Sequence, residues 1–457
     1  GTNSYSGGTS VNAGFLTIGT HSNLGSGDLT VSNGATVNIS NIFEDTYSRT
    51  FTVSGAGSSI TSASYLWFNR AADTTSIINV TDGGSITAGT TISLADLGSN
   101  SISTLNLSGT NSTVSSNGIF YIGYRGQGTA NISNGGVLSL GSILDLASQA
   151  GSSATINLNA GGTVRVGGTN GIIVGAGTGN FNINGGTLEA TSFDLTTSVP
   201  FALGAASNSI INTNSLNVSL SGSLSGSGSL NKSGSGTLSL PGSNTYSGST
   251  TVTEGTLRVD GSLASNHIDV QSGATLAGSG SITGSITINE GGAIAPGNSP
   301  GTIQTGSIDF TGGGIFFFEI NTPIDLPEND SSWDFIDITG DLTISATSEN
   351  PFIIDLSSLT ATNEIGLLSN FDNSATYAWS IAFASAGILG FESNKFLLDT
   401  SNFQNDLNGG SFGIQTEGNA LKLIFTGAAV PEPATWTVIL GLCTLIFVWK
   451  RQRAKQN

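Results

Sequence analysis

Cysteine occurs once, at Cys443 in an apolar tail, so no intramolecular disulfide and no cysteine-based metal cluster can form. Histidine is nearly as scarce. His21 and His267 are isolated, which leaves Ser-His-Asp and His-metal arrangements without support. Charged residues make up only 9% and are one-sided: 12 Lys and Arg against 30 Asp and Glu, a formal net charge of −18. Four of those twelve, Lys450, Arg451, Arg453 and Lys455, lie in the last eight positions, so the rest of the chain is more acidic still. Such a body repels nucleic acid and offers no phosphate-binding patch. No stretch shows a 3.6-residue apolar period and glycine is everywhere, 65 of 457 residues, which excludes a helical body. Methionine is absent even from position 1, and the chain opens inside a repeat at Gly1-Thr2-Asn3-Ser4-Tyr5. An export leader is therefore expected upstream.

What is present is a recurring phrase. Hydrophobic residues at 37%, with abundant Val, Ile and Thr, separate the chain from disordered Gly/Ser polymers. Ile78–Gly84 reads I-N-V-T-D-G-G, and variants return at Leu105–Gly109, Ala130–Gly136, Ile156–Gly162 and Phe181–Gly186. The asparagines Asn79, Asn106, Asn131, Asn157 and Asn182 are separated by 27, 25, 26 and 25 residues, the signature of a solenoid or array. Each Asn lies between two apolar residues and so faces away from them on an extended strand. A Gly-rich turn follows, then a second alternation such as Val164-Arg165-Val166. A third apolar pair completes the copy: Ile92/Leu94, Phe120/Ile122, Leu144/Leu146, Ile172/Val174 and Phe193/Leu195. Three short strands per copy predict one coil of a right-handed parallel β-helix of about 25 residues, with Asn side chains stacked in an outer or corner ladder at roughly 4.8 Å. Regular hairpins of a β-sandwich use the same turn signals and stand as the alternative.

Taken in order, residues 1–230 are expected to form solenoid coils. Phe51–Ile60 is an earlier coil and Tyr65-Leu66-Trp67-Phe68 its third strand, where an exposed Trp is either a sugar-stacking platform or the cover of a coil edge. The Ser/Gly run before Leu230 has linker composition, but Leu216, Leu220, Leu224 and Leu230 predict short strands instead. Residues 231–310 continue the coils. Gly234–Val259, G-S-G-T-L-S-L-P-G-S-N-T-Y-S-G-S-T-T-V-T-E-G-T-L-R-V, resembles the autotransporter-associated β-strand repeat, and Gly1–Ile18 resembles its second half. Ile119–Gly141 is similar to a repeat shared by type V secretion passengers and PEP-CTERM proteins, and Gly273–Gly301 to a common close of such arrays. These resemblances imply a right-handed parallel β-helix and no particular activity. Residues 311–427 lose the period and carry Phe316, Phe317, Phe318, Trp333, Phe371, Trp379 and Phe391, which predicts a smaller β-sandwich-like region capping the open end. Phe396–Phe425 resembles the ending seen before a sorting tail.

The tail, residues 428–457, has three parts. Val430-Pro431-Glu432-Pro433 precedes Ala434–Trp449, sixteen residues without a charge, and then the basic cluster Lys450, Arg451, Arg453 and Lys455. Sixteen residues span about 24 Å as a helix, a little short of the usual length, and the flanking Lys and Arg can snorkel across the mismatch. A single transmembrane helix with a cytoplasmic basic anchor is predicted. The arrangement closely resembles the PEP-CTERM sorting signal. That resemblance implies recognition of Pro431-Glu432-Pro433 by an exosortase-type enzyme, removal of the membrane segment, and release to the surface or matrix of a Gram-negative-type bacterium.

Candidates for chemistry are few. Asp145 and Asp194 are expected outward on third strands, two coils apart at roughly 10 Å with Ile173 between, poor spacing for paired-carboxylate hydrolysis. Arg125 and Arg165 fall at other coil offsets. Asp325, Glu328, Asp330, Asp334, Asp337 and Asp341 crowd one segment rich in oxygen ligands of the kind Ca²⁺ takes, but without EF-hand or RTX spacing, and a solvated acidic loop is the plainer reading. The expectation is a non-catalytic, exported solenoid without cofactor or metal, structural or adhesive, with exopolysaccharide or other envelope components as partners. A polysaccharide lyase or hydrolase on the same scaffold is the alternative.

Overall fold

In the computed structural model, residues 3–428 are described apart from 20–22, 99, 170, 206 and 324–331, together with Ile446 and Arg451. The phrase found in the sequence closes into coils because each copy satisfies the same two demands. Alternating residues bury one face, as in Ile102–Ser108, where Leu105 and Leu107 are inside and Asn106 between them is not. The corner that follows needs residues tolerant of positive φ: Asn134 (φ 50°) and Gly135 (φ 90°) turn the chain after Gln127–Ser133. Gly136 is demanded by proximity, since a Cβ there would lie 2.6 Å from the Leu107 carbonyl oxygen of the coil below.

Among the described residues, the strands form five sheets of 10, 16, 6, 9 and 8 strands. A middle coil runs Ile102–Ser108, Thr113–Ser116 and Phe120–Ile122, contributing one strand to each of the ten-, sixteen- and six-stranded sheets. The next coil pairs in parallel directly above it, Leu105 with Ala130, Asn106 with Asn131 and Leu107 with Ile132. The molecule is a parallel β-solenoid. Its spine is the sixteen-stranded sheet, which runs from Phe15–Ile18 to Gly387–Leu389, and its core is the apolar column between the sheets.

Several expectations are corrected. The coil length is not constant: Leu230 pairs with Thr250, Thr250 with Ile268 and Ile268 with Ile286, steps of 20, 18 and 18 residues, because Ser-Gly corners there are shorter. The six-stranded sheet ends at Ile172–Val174, and Leu195–Thr197 opens the nine-stranded sheet instead. Phe193 is therefore 59% exposed and outside any strand, not half of a buried pair, while Leu195 is buried. The Ser/Gly run does form strands, Val218–Leu220, Leu224–Gly226 and Ser229–Ser233.

The sandwich-like region expected from residue 311 is, in large part, more solenoid. Ile315–Ile320 and Phe352–Ser358 pair in parallel, Phe352 in turn with Phe396, and Leu342 with Ile308 and Ile388. Insertions lengthen these coils and erase the sequence period, but inward Phe residues keep the stack, with Phe310 and Phe352 lying flat at 4.1 Å. Among the described residues, antiparallel pairing between strands joins Thr376–Ala384, Ala420–Thr426 and Ser411–Glu417, which cover the end of the eight-stranded sheet. Among the described residues no helix is long and apolar enough to cross a membrane. The sorting motif Val430-Pro431-Glu432-Pro433, nearly all of Ala434–Trp449, and Lys450, Arg453 and Lys455 lie outside the described residues.

Candidate functional site

Two features of the outer surface are built by register alone. The first is the asparagine ladder on the ten-stranded sheet. Each Asn sits between inward residues, so its amide lies half-buried directly above the one below. Nδ2 of Asn106, Asn131, Asn157 and Asn182 each donates to Oδ1 of the preceding Asn at 2.9 Å. The ladder stops where register brings Thr52 below Asn79 and Ala202 above Asn182. A second rail forms beside it, where Asn184 donates to Asn159 at 3.1 Å. Asn131→Ala breaks two rungs at once and is expected to cost about 1–2 kcal/mol, read as a lower unfolding midpoint.

The second feature is a cleft on the six-stranded sheet. Register stacks one outward residue per coil there: Glu44, Trp67, Ser93, Tyr121, Asp145 and Ile173. Tyr65 packs on Trp67 at 5.0 Å and Tyr124 edge-on against Tyr121 at 4.9 Å. Between these aromatic pairs the rung holds only Ser93, and a cavity of about 510 Å³ opens over that coil, with Arg70, Asp96 and Arg125 along it. The Arg70 guanidinium lies 4.2 Å over the Trp67 ring, 3.2 Å from Asp96 Oδ2 and in contact with the Glu44 carboxylate.

Burial controls the acids in and beside this cleft. Desolvation pushes the Asp96 carboxyl above its usual range, opposed by the nearby Ser93 hydroxyl and by Arg70. Desolvation likewise raises Asp145, against the opposing pull of Ser148, and its Oδ1 has no hydrogen-bond partner. Tyr121 is raised by desolvation and then by the Asp145 charge.

The structure separates the residues weighed for chemistry. Asp145 is only 8% exposed, not outward in solvent, because Tyr121 and Ile173 flank it in register. Asp194 is not in that column: it is exposed and accepts from the backbone and side-chain nitrogens of Asn217 at 2.8 and 3.0 Å, which hold its pKa down. Arg165 is on the sixteen-stranded sheet, ion-paired with Glu189 at 2.9 Å, away from Arg125. His267 shares a hydrogen bond with Ser285 at 2.8 Å, and His21 lies outside the described residues.

Of the acidic segment, Asp325, Glu328 and Asp330 also lie outside them. The other three acids diverge. Asp334 is buried, accepts from the backbone of Gly301 and Glu319 at 2.8 and 3.0 Å, and is pushed well above the carboxylate range by desolvation. Asp337 accepts from Gln304 at 3.0 Å, and the Asp341 amide donates to Ser307 at 3.2 Å.

Residues 1–18 and 230–259 match the family model of the passenger-associated-transport-repeat. No curated protein matches the chain. In the second matched stretch, several polar residues are internal fasteners. The buried Tyr246 hydroxyl bonds Thr250 at 2.6 Å, and Thr250 donates to Ser265 at 2.9 Å. Asn244 accepts from the Leu224 amide at 3.0 Å, and Lys232 donates to the carbonyls of Gly234 and Glu254 at 2.6 and 2.8 Å. The first stretch repeats the Tyr-Thr fastener, Tyr5 to Thr9 at 2.6 Å. These bonds fasten the chain within and between coils.

Arg70, Asp96, Tyr121 and Tyr124 were not singled out by reading along the chain. Aligning third strands by coil offset is the signal that finds them, since Trp67, Ser93, Tyr121 and Asp145 share one offset.

Proposed function

We propose that this chain is an exported, non-catalytic structural or adhesive component of the cell surface or extracellular matrix. The solenoid is a stiff scaffold, wound right-handed like the passengers it resembles, and it presents polar ladders at a fixed spacing to polysaccharide or other envelope partners. The observation that carries this reading is the unbroken in-register Asn79–Asn182 ladder on coils joined to passenger-type repeats. Such a surface offers many identical weak contacts whose strength comes from multivalency. Delivery follows from the tail: an exosortase-type enzyme recognises Pro431-Glu432-Pro433, the apolar Ala434–Trp449 segment holds the chain in the membrane until processing, and Lys450, Arg451, Arg453 and Lys455 keep its end cytoplasmic.

Fractionation tests this. The native chain is expected at the cell surface or in the medium, and a chain carrying Pro431→Ala and Pro433→Ala is expected to stay in the membrane fraction. Equal release of both ends the sorting reading. A polysaccharide-cleaving activity lost in Asp145→Ala or Asp194→Ala would end the non-catalytic one.

A further inference from the structure

The cleft over the Ser93 coil has features that the ladders do not. Its walls are two rigid aromatic pairs, one from the coil below and one from the coil above. Strand spacing of about 4.8 Å places Trp67 and Tyr121, two rungs apart, at roughly 9.6 Å, and the cleft opens between them with the Arg70 guanidinium over the Trp67 ring. The volume of about 510 Å³ falls within the range of about 300–1,000 Å³ typical of small-ligand clefts. Polar groups border these apolar walls: Asp96, Arg70 and Arg125 line the cleft together with the rings.

A ligand that meets this set needs apolar C–H faces to lie on aromatic rings and hydroxyls around its edge to donate to oxygen acceptors. A pyranose ring has both. Its charge is indicated too: Arg70 and Arg125 line the cleft with Asp96, and Arg70 is already neutralised by Asp96 and by Glu44 beside the cleft, which leaves no concentrated cationic patch. A polyanion would meet repulsion from the acidic body.

We propose that this cleft is a binding subsite for a neutral polysaccharide, which takes a sugar ring against the Trp67 and Tyr121 side chains, with Asp96 as a hydrogen-bond acceptor for its hydroxyls. The subsite deepens the surface-adhesion reading and rests on it only for its setting. It gives one defined, specific contact beside the multivalent ladders.

The test is calorimetric titration of the purified full chain with cellohexaose, laminarihexaose and xylohexaose, and with an oligogalacturonate as the anionic counterpart. At least one neutral oligosaccharide is expected to bind. Trp67→Ala and Tyr121→Ala are each expected to weaken it about tenfold or more, as removal of a central aromatic anchor does. Trp67→Phe keeps a ring in place and is expected to retain most of the affinity, and Arg165→Gln on the sixteen-stranded sheet to retain all of it. Circular dichroism checks that each variant is folded. Binding of none of the neutral probes, binding unmoved by both alanine substitutions, or preference for the oligogalacturonate would each overturn the proposal. Because binding is measured on purified protein, its failure leaves the surface location standing, and a chain found inside the cell would sink the location without touching the measured affinity.

Discussion

Arg49→Met is expected to be among the most damaging single changes in the chain, at about 3–5 kcal/mol, because it leaves a buried carboxylate without its cation. Asp45 is fully buried, and Arg49, 4% exposed, meets it at 2.9 Å between the rings of Tyr47 and Phe51. Even with that partner, desolvation pushes Asp45 up to about 6, against the opposing pull of Arg49. The sign of the pH effect follows. A carboxyl whose folded pKa lies above its unfolded value binds more protons in the folded state, so its contribution is complete below about pH 4 and is lost as pH rises through about 6. Asp45→Asn should remove that dependence. Stability in a solenoid is close to a sum over neighbouring coils, so the loss should be local. Hydrogen exchange in Arg49→Met is expected to show faster opening of Leu29–Ser32 and Arg49–Ser54, with strands beyond residue 230 unchanged. Uniform loss across the chain would contradict coil-by-coil stability.

Lys232→Met is the second large expectation, at about 3 kcal/mol. The lysine is buried within the passenger-type repeat, and its Nζ donates to the carbonyl oxygens of Ser233, Gly234 and Glu254 at 3.2, 2.6 and 2.8 Å. Methionine fills similar space but strands these acceptors, each of which costs free energy when buried unpaired. Burial lowers the lysine to about 8, partly offset by Glu254. Between about pH 8 and 10.5 the unfolded chain then holds the extra proton, so this group's contribution makes stability rise with pH across that window. Denaturation midpoints at pH 7 and pH 10 check both statements. The native chain should gain relative to Lys232→Met as pH rises, and a constant difference would show that the lysine stays charged inside.

The recurring coil was legible because every copy of it answers the same local problem. Asn106, Asn131 and Asn157 recur at near-constant spacing since only an outward polar residue between two inward ones fits a strand buried on one face. The period failed as a guide wherever coil length changed. Shorter Ser-Gly corners after residue 230 and insertions after residue 311 alter spacing without altering pairing, and parallel register tolerates any loop that returns the strand to its place. Phe193 misled because an aromatic next to Asp194 and Leu195 reads as part of a strand, whereas the change of sheet at that point leaves it in solvent.

By itself, then, the order of residues determined which side chains face inward, where the corners turn, and that identical amides would stack, since these follow from alternation and backbone sterics within a few neighbours. Only the tertiary structure decided which outward residues meet. Trp67, Ser93 and Tyr121 are 26 and 28 residues apart along the chain and become adjacent through hydrogen bonds between coils. The walls and the floor of the cleft belong to no single repeat, and they exist because three coils are stacked in register.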